Sequence, residues 1–191
     1  MNLNEKLNNL LKRVEKPARY IGGETNIVTK DPEDVKVRFA FAFPDLYEIG
    51  MSYMGLSILY NIINKEDDIY CERVFAPAPD MEELMREEEV PLFTLETKTP
   101  IKELDFLGFT LQYEMSFTSI LDMMELAGIA LKSADRSESD PIVIAGGPCA
   151  FNPEPLADFI DIFLIGDGEV SLLNLLKKYG EAKDREISKT E

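Results

Sequence analysis

Residues 141–170 read PIVIAGGPCAFNPEPLADFIDIFLIGDGEV, and they constrain the chain more than any other stretch. Two short apolar runs, residues 142–145 and 160–165, are each cut off by glycine. Gly146-Gly147-Pro148 follows the first and Gly166-Asp167-Gly168-Glu169 the second. Apolar runs this short, without alternation, predict strands buried on both faces. Glycine at a strand exit allows a sharp turn and brings bare backbone close to whatever sits there. Ligands of open parallel sheets bind outside the carboxyl ends of the strands, so the two exits read as two sides of one crevice. Glycine also serves plain βα turns that hold no ligand, and the spacing by itself leaves both uses open.

The same alternation runs back through the chain. Residues 35–43, VKVRFAFAF, predict a first, central strand partly buried on both faces. A long turn, PDLYEIGMSYMG, leads to a helix marked by Leu56, Leu59, Tyr60 and Ile63. Residues 71–76 predict a second strand, and residues 92–95 a short one. Residues 81–89 predict an acidic, solvated helix with Asp80 as its N-cap. Residues 105–112, DFLGFTLQ, predict a further strand. A helix capped by Thr118 or Ser119 follows it, with Ile120, Met123, Met124 and Ala127 inward. A short helix is expected at 154–159. Glu169 starts the last helix, with Leu172, Leu175, Leu176 and Tyr179 inward. At the front, Leu3, Leu7, Leu10, Leu11 and Val14 place an amphipathic helix over 1–14. Residues 19–31 read as loop, a leader that could pack against another domain.

Strands alternating with helices predict an α/β fold. It is a flavodoxin-like (Rossmann-like) open, mainly parallel five-stranded sheet in the order 2-1-3-4-5, with helices on both faces. The expected division is an N-terminal helix and leader at 1–34, the α/β domain at 35–180 and a polar tail at 181–191. The switch point then lies between the first and third strands. Asp45, Tyr47 and Gly50 wall it on one side, and Tyr113 and Glu114 on the other. Gly146, Gly147 and Pro148 lie beside it, with Gly166, Gly168 and Glu169 completing the candidate crevice.

Composition excludes several functions. With 36 Asp and Glu against 20 Lys and Arg, the formal charge is −16, which argues against a direct nucleic-acid partner. No apolar run approaches a membrane span and none resembles a signal peptide, so the cytoplasm is the default compartment. The chain has no histidine, which removes His-dependent triads and His-ligated metals. Its two cysteines, Cys71 and Cys149, read as small buried hydrophobes.

Five motifs in order carry a family resemblance. They are KPARYIGGETN (16–26), FPDLYEIGMSYMGLSILY (43–60), ERVFAP (72–77), LGFTLQYEMSFT (107–118), and IAGGPCAFNPEPLADF with IGDGE (144–159 and 165–169). The chain resembles the N-terminal domain of a family of uncharacterised radical S-adenosylmethionine (radical SAM) proteins. In that family a domain similar to the cobalamin-binding fold precedes a radical SAM barrel. The resemblance implies a 4Fe–4S cluster and S-adenosylmethionine in a catalytic barrel absent from this chain, present in cis or as a separate chain. Such a cluster needs three closely spaced cysteines, which this chain lacks. Where histidine-ligating cobalamin proteins carry Asp-x-His-x-x-Gly, this chain reads PDLYEIG, so cobalamin is possible but disfavoured.

The resulting reading is an accessory domain that shapes or covers the active site of that barrel, with no cofactor held by this chain alone. One alternative is a cobalamin- or nucleotide-binding module, although neither GGP nor GDGE matches a phosphate-loop pattern. A second is a small acid–base enzyme using Asp45, Glu114 or Glu169.

Overall fold

A computed structural model describes residues 3–189. Five strands form one sheet: β1 (Val37–Phe43), β2 (Ile69–Phe75), β3 (Phe106–Thr110), β4 (Ile142–Gly146) and β5 (Ile162–Leu164). Every pair is parallel and the order is β2-β1-β3-β4-β5, the flavodoxin-like arrangement expected from the sequence. The helices are α1 (Leu3–Leu10), α2 (Ala18–Ile21), α3 (Tyr47–Ser52), α4 (Met54–Ile63), α5 (Pro79–Glu87), α6 (Phe117–Leu126) and α7 (Gly168–Asp184).

The strand period of two divides the core into two faces. Ala40, Ala42, Leu107, Phe109, Val143 and Ala145 point to one side, where α1, α5 and α6 pack. Val37, Phe39, Phe41, Phe106 and Ile144 point to the other, under α4 and α7. Both faces are covered, which is why the strands read as continuous apolar runs.

Several elements differ from the sequence reading, each for a local reason. Residues 92–95 form no strand: Leu95 N–H donates to the Arg73 carbonyl at 2.8 Å, and a lone antiparallel bridge joins Phe93 to Pro100. The helix expected to be capped by Asp80 begins at Pro79, whose fixed φ suits a first turn. Asp80 instead accepts from the Glu15 N–H at 2.7 Å. Ser116, not Thr118 or Ser119, precedes α6. Residues 154–159 supply only a 3-10 turn, Glu154–Leu156. The first helix spans Leu3–Leu10; Met1 and Asn2 lie outside the described residues.

The leader packs on its own sheet. Leu7, Leu10, Val14 and Tyr20 join the core on the α5 and α6 side, and the Ala78 N–H donates to the Tyr20 hydroxyl at 3.0 Å. At the other end α7 runs past Gly180 into the stretch read as tail. It is tied down there by Lys36–Asp184 at 2.6 Å and Lys183–Asp105 at 3.0 Å. Thr190 and Glu191 of that tail lie outside the described residues.

Candidate functional site

Parallel strands deliver their following loops to one edge, and that edge gathers most of the residues singled out by sequence. Between the first turns of α4 and α7, over the ends of β1, β3, β4 and β5, lies a cavity of about 210 Å³. Phe39, Phe41, Leu59, Ile144 and Leu172 give it apolar walls, and Thr110, Gln112, Asp167 and Glu169 give it polar groups. Of the expected crevice residues, Gly146, Gly147, Gly166, Gly168 and Glu169 line it.

Gly147 is at φ +107, a conformation that favours glycine. A Cβ there would sit 2.9 Å from the Leu111 carbonyl oxygen. This glycine is therefore needed by the turn itself, and any side chain at 147 would damage the fold as well as the site. Gly146 is different: the nearest atom to a Cβ would be the Leu164 carbonyl oxygen at 3.4 Å, an ordinary contact.

The other expected residues take separate places. Asp45 and Tyr113 meet across the exits of β1 and β3, the Tyr113 hydroxyl donating to Asp45 Oδ2 at 3.2 Å. Desolvation and the Asp45 charge raise the Tyr113 hydroxyl above the usual tyrosine range. Glu114 lies against the Cys149 thiol; desolvation and this carboxylate raise the thiol, which opposes nucleophilic use. Pro148 opens the 3-10 turn Pro148–Phe151 beside the cavity without lining it. Tyr47 turns away and donates to Glu24 at 3.1 Å. Gly50 is buried where a Cβ would enter the Phe75 ring, a packing role. Asp45, Glu114 and Glu169 thus have three different neighbourhoods, and no hydrogen bond joins any two of them.

Sequence reasoning missed Gly108 and Tyr53 as cavity residues and named Asp167 only as part of the second strand exit. Gly108 did leave a signal, because a glycine inside an apolar strand marks a close approach. The Phe39 ring occupies the space that a side chain at 108 would fill.

A second polar assembly was also missed. Glu72 and Arg73 are 0% and 4% exposed on adjacent positions of β2, so they face opposite sides of the sheet. Glu72 pairs with Arg38 of β1 and accepts from Thr94 and Thr97. Arg73 Nε donates to Glu96 at 2.7 Å, its Nη2 to Glu24 at 3.3 Å, and its guanidinium lies 4.5 Å from the Tyr60 ring centre. The Arg73 N–H also donates to Glu96 at 2.6 Å. The segment carrying Thr94, Leu95 and Glu96 thus satisfies the outer edge of β2, which would otherwise present unpaired backbone groups. Glu24 and the Glu72-Arg73 pair come from two of the family-like motifs, whose residues here hold the fold rather than the cavity.

An iron–sulfur cluster does not fit these residues. Among the described residues no group of three or more His, Cys, Asp or Glu is placed to hold a metal. Cys71 is fully buried in β2, with its thiol pushed well above the ordinary range by desolvation, and Cys149 packs against the opposite core face. Cobalamin finds no cobalt ligand at the β1 exit, where the Asp45 carboxylate is engaged by the Leu46 N–H and by Tyr113. No Lys or Arg lines the cavity to meet its phosphate. Among the described residues no helix is long and apolar enough to cross a membrane.

Residues 55–191 match the family described as radical SAM proteins, N-terminal. The chain is also similar to the uncharacterized protein MJ0966 of Methanocaldococcus jannaschii, 26% identical over 133 residues. That match covers 69% of this chain and 24% of the relative, so the chain spans about a quarter of the length of the curated relative it matches.

Proposed function

The chain belongs to the family of N-terminal domains of radical SAM proteins, and from that premise we propose that it is an accessory domain whose carboxyl sheet edge covers the active site of a catalytic barrel. In this reading the 4Fe–4S cluster and S-adenosylmethionine reside in that barrel, and this chain shapes the space above them. Cobalamin is disfavoured as a ligand of this chain, because the β1 exit offers no cobalt ligand and the cavity lining no cation for its phosphate.

One observation supports the reading most. Among the described residues, seven of the ten large apolar side chains that are exposed stand on this single edge. They are Ile49, Met54, Tyr113, Met115, Phe151, Ile165 and Val170; Met115 is 85% and Phe151 72% exposed. Scattered apolar side chains need no explanation, but a concentration on one sheet edge marks a contact surface. Acidic Asp167 and Glu169 border it. The matching face of the barrel is therefore apolar.

The test is hydrogen exchange on a protein containing this domain joined to its radical SAM catalytic domain, compared with the 191-residue chain alone. Amides of residues 113–117 and 149–152 should be protected in the joined protein. Met115→Asp with Phe151→Asp should abolish that protection. Because both side chains are exposed, the isolated chain should change in stability by no more than about 0.5 kcal/mol for each. Equal exchange at this edge in the two proteins would overturn the reading.

A further inference from the structure

On the α4 and α7 side, the sheet is hollow at its carboxyl end. The cavity of about 210 Å³ exceeds the roughly 150 Å³ at which an apolar cavity takes up benzene. It falls below the roughly 300 Å³ at which pockets hold whole drug-sized molecules. The space therefore suits one aromatic ring system of a ligand, with the remainder lying outside. Phe39, Phe41, Ile144 and Leu172 supply its apolar contacts, and the bare backbone of Gly146 leaves its floor open.

The charges sort the possible ligands. Asp167 and Glu169 are the only formally charged residues in the lining, both are exposed, and no Lys or Arg pairs with either among the described residues. The amino end of α7 offsets about half a unit of that negative charge. More than one unit is left uncompensated, so an anionic group entering here is repelled and a cation attracted. Tyr53, packed against Phe43 at 5.4 Å between ring centres, is the aromatic residue of α4's entry in the lining.

We propose that this crevice binds the aromatic ring of a cationic ligand, with the positive charge held at Asp167 and Glu169. The proposal rests on the carboxyl edge being the working edge of the domain, and names what that edge receives. It is tested on the 191-residue chain alone, so failure of barrel docking leaves the measurement untouched.

Three probes share one ring and differ in charge: tryptamine, indole and indole-3-acetate. Calorimetric titration at low salt should give tryptamine the tightest binding, about tenfold over indole-3-acetate, with indole between them. Gly146→Val adds a side chain in the cavity lining, its Cβ 3.4 Å from the Leu164 carbonyl oxygen, and should remove binding of all three, with its circular dichroism melt confirming the fold. Asp167→Asn with Glu169→Gln changes only exposed side chains and should bring the three affinities together. Equal affinities in the original chain, preference for the anion, no saturable binding at millimolar concentrations, or binding indifferent to a folded Gly146→Val would each overturn the proposal.

Discussion

Arg73 is a full charge placed where water does not reach, and its neighbours decide whether the fold tolerates it. Its side chain is 5% exposed and that of Glu96 is 1% exposed. Desolvation raises the Glu96 carboxyl above the usual range even though Arg73 pulls it down, so burial of this pair opposes its charge. Removing one partner of such a pair leaves the other buried and uncompensated, which costs about 3–5 kcal/mol. Glu96→Ala is expected to lower stability by about that amount, read from the urea midpoint at constant slope. Glu24→Ala removes a longer contact at 3.3 Å from a more exposed carboxylate, and should cost less. A Glu96→Ala chain as stable as the original would refute this account of the β2 edge. None of this was legible in the sequence. Arg73 and Glu96 lie 23 positions apart, and local periodicity holds no information about which distant charge a strand residue will meet.

At the scale of elements the sequence was far more legible, because strand and helix periods are local. The sheet order followed from the alternation of apolar runs and helices. The cavity followed from glycines at two strand exits. The errors came where one residue type has two uses. A polar tail was expected from residue 181, yet α7 continues through Gly180 to Asp184. Leu172, Leu176 and Gly180 form one stripe at four-residue spacing, and a Cβ at 180 would lie 3.3 Å from Val37. That glycine lets the helix approach the sheet. Gly50 and Tyr47 failed as crevice residues for the same reason: a turn contains both packing and site residues, and sequence spacing does not separate them. The stripe makes a direct prediction. Leu176 is fully buried, so Leu176→Ala should cost about 2–5 kcal/mol in urea denaturation. It lies down the helix from the first-turn cavity residues and does not line the cavity, so the folded fraction should keep its tryptamine affinity. Loss of binding without loss of stability would mean that α7 does not divide this way.

For the whole molecule, charge is the property that local structure leaves unsettled. The excess of 16 negative charges is spread over a domain crossed by many surface pairs, such as Arg13 with Glu87 and Glu88, and Lys177 with Glu66. Salt weakens those pairs, which lowers stability; it also weakens the mutual repulsion of the unpaired carboxylates, which raises it. Each exposed pair contributes about 0–1 kcal/mol and acts over one contact. The repulsion acts among all unpaired charges when the screening length is about 30 Å, at 0.01 M salt, and is cut back when it falls to about 8 Å at 0.15 M. Repulsion should therefore dominate, and the melting temperature should rise between these two salt concentrations. A net gain of about 1 kcal/mol corresponds to about 2–4 °C for a chain of this size. The same screening acts in the opposite sense at the cavity mouth, where Asp167 and Glu169 attract a cation. Tryptamine affinity should fall over the salt interval in which the melting temperature climbs, while indole affinity stays level. Thermal melts and calorimetric titrations on one preparation at 0.01 M and 0.15 M salt test both signs together. A melting temperature that falls with salt would give the larger role to the surface pairs. A tryptamine affinity indifferent to salt would remove the carboxylates from the binding site.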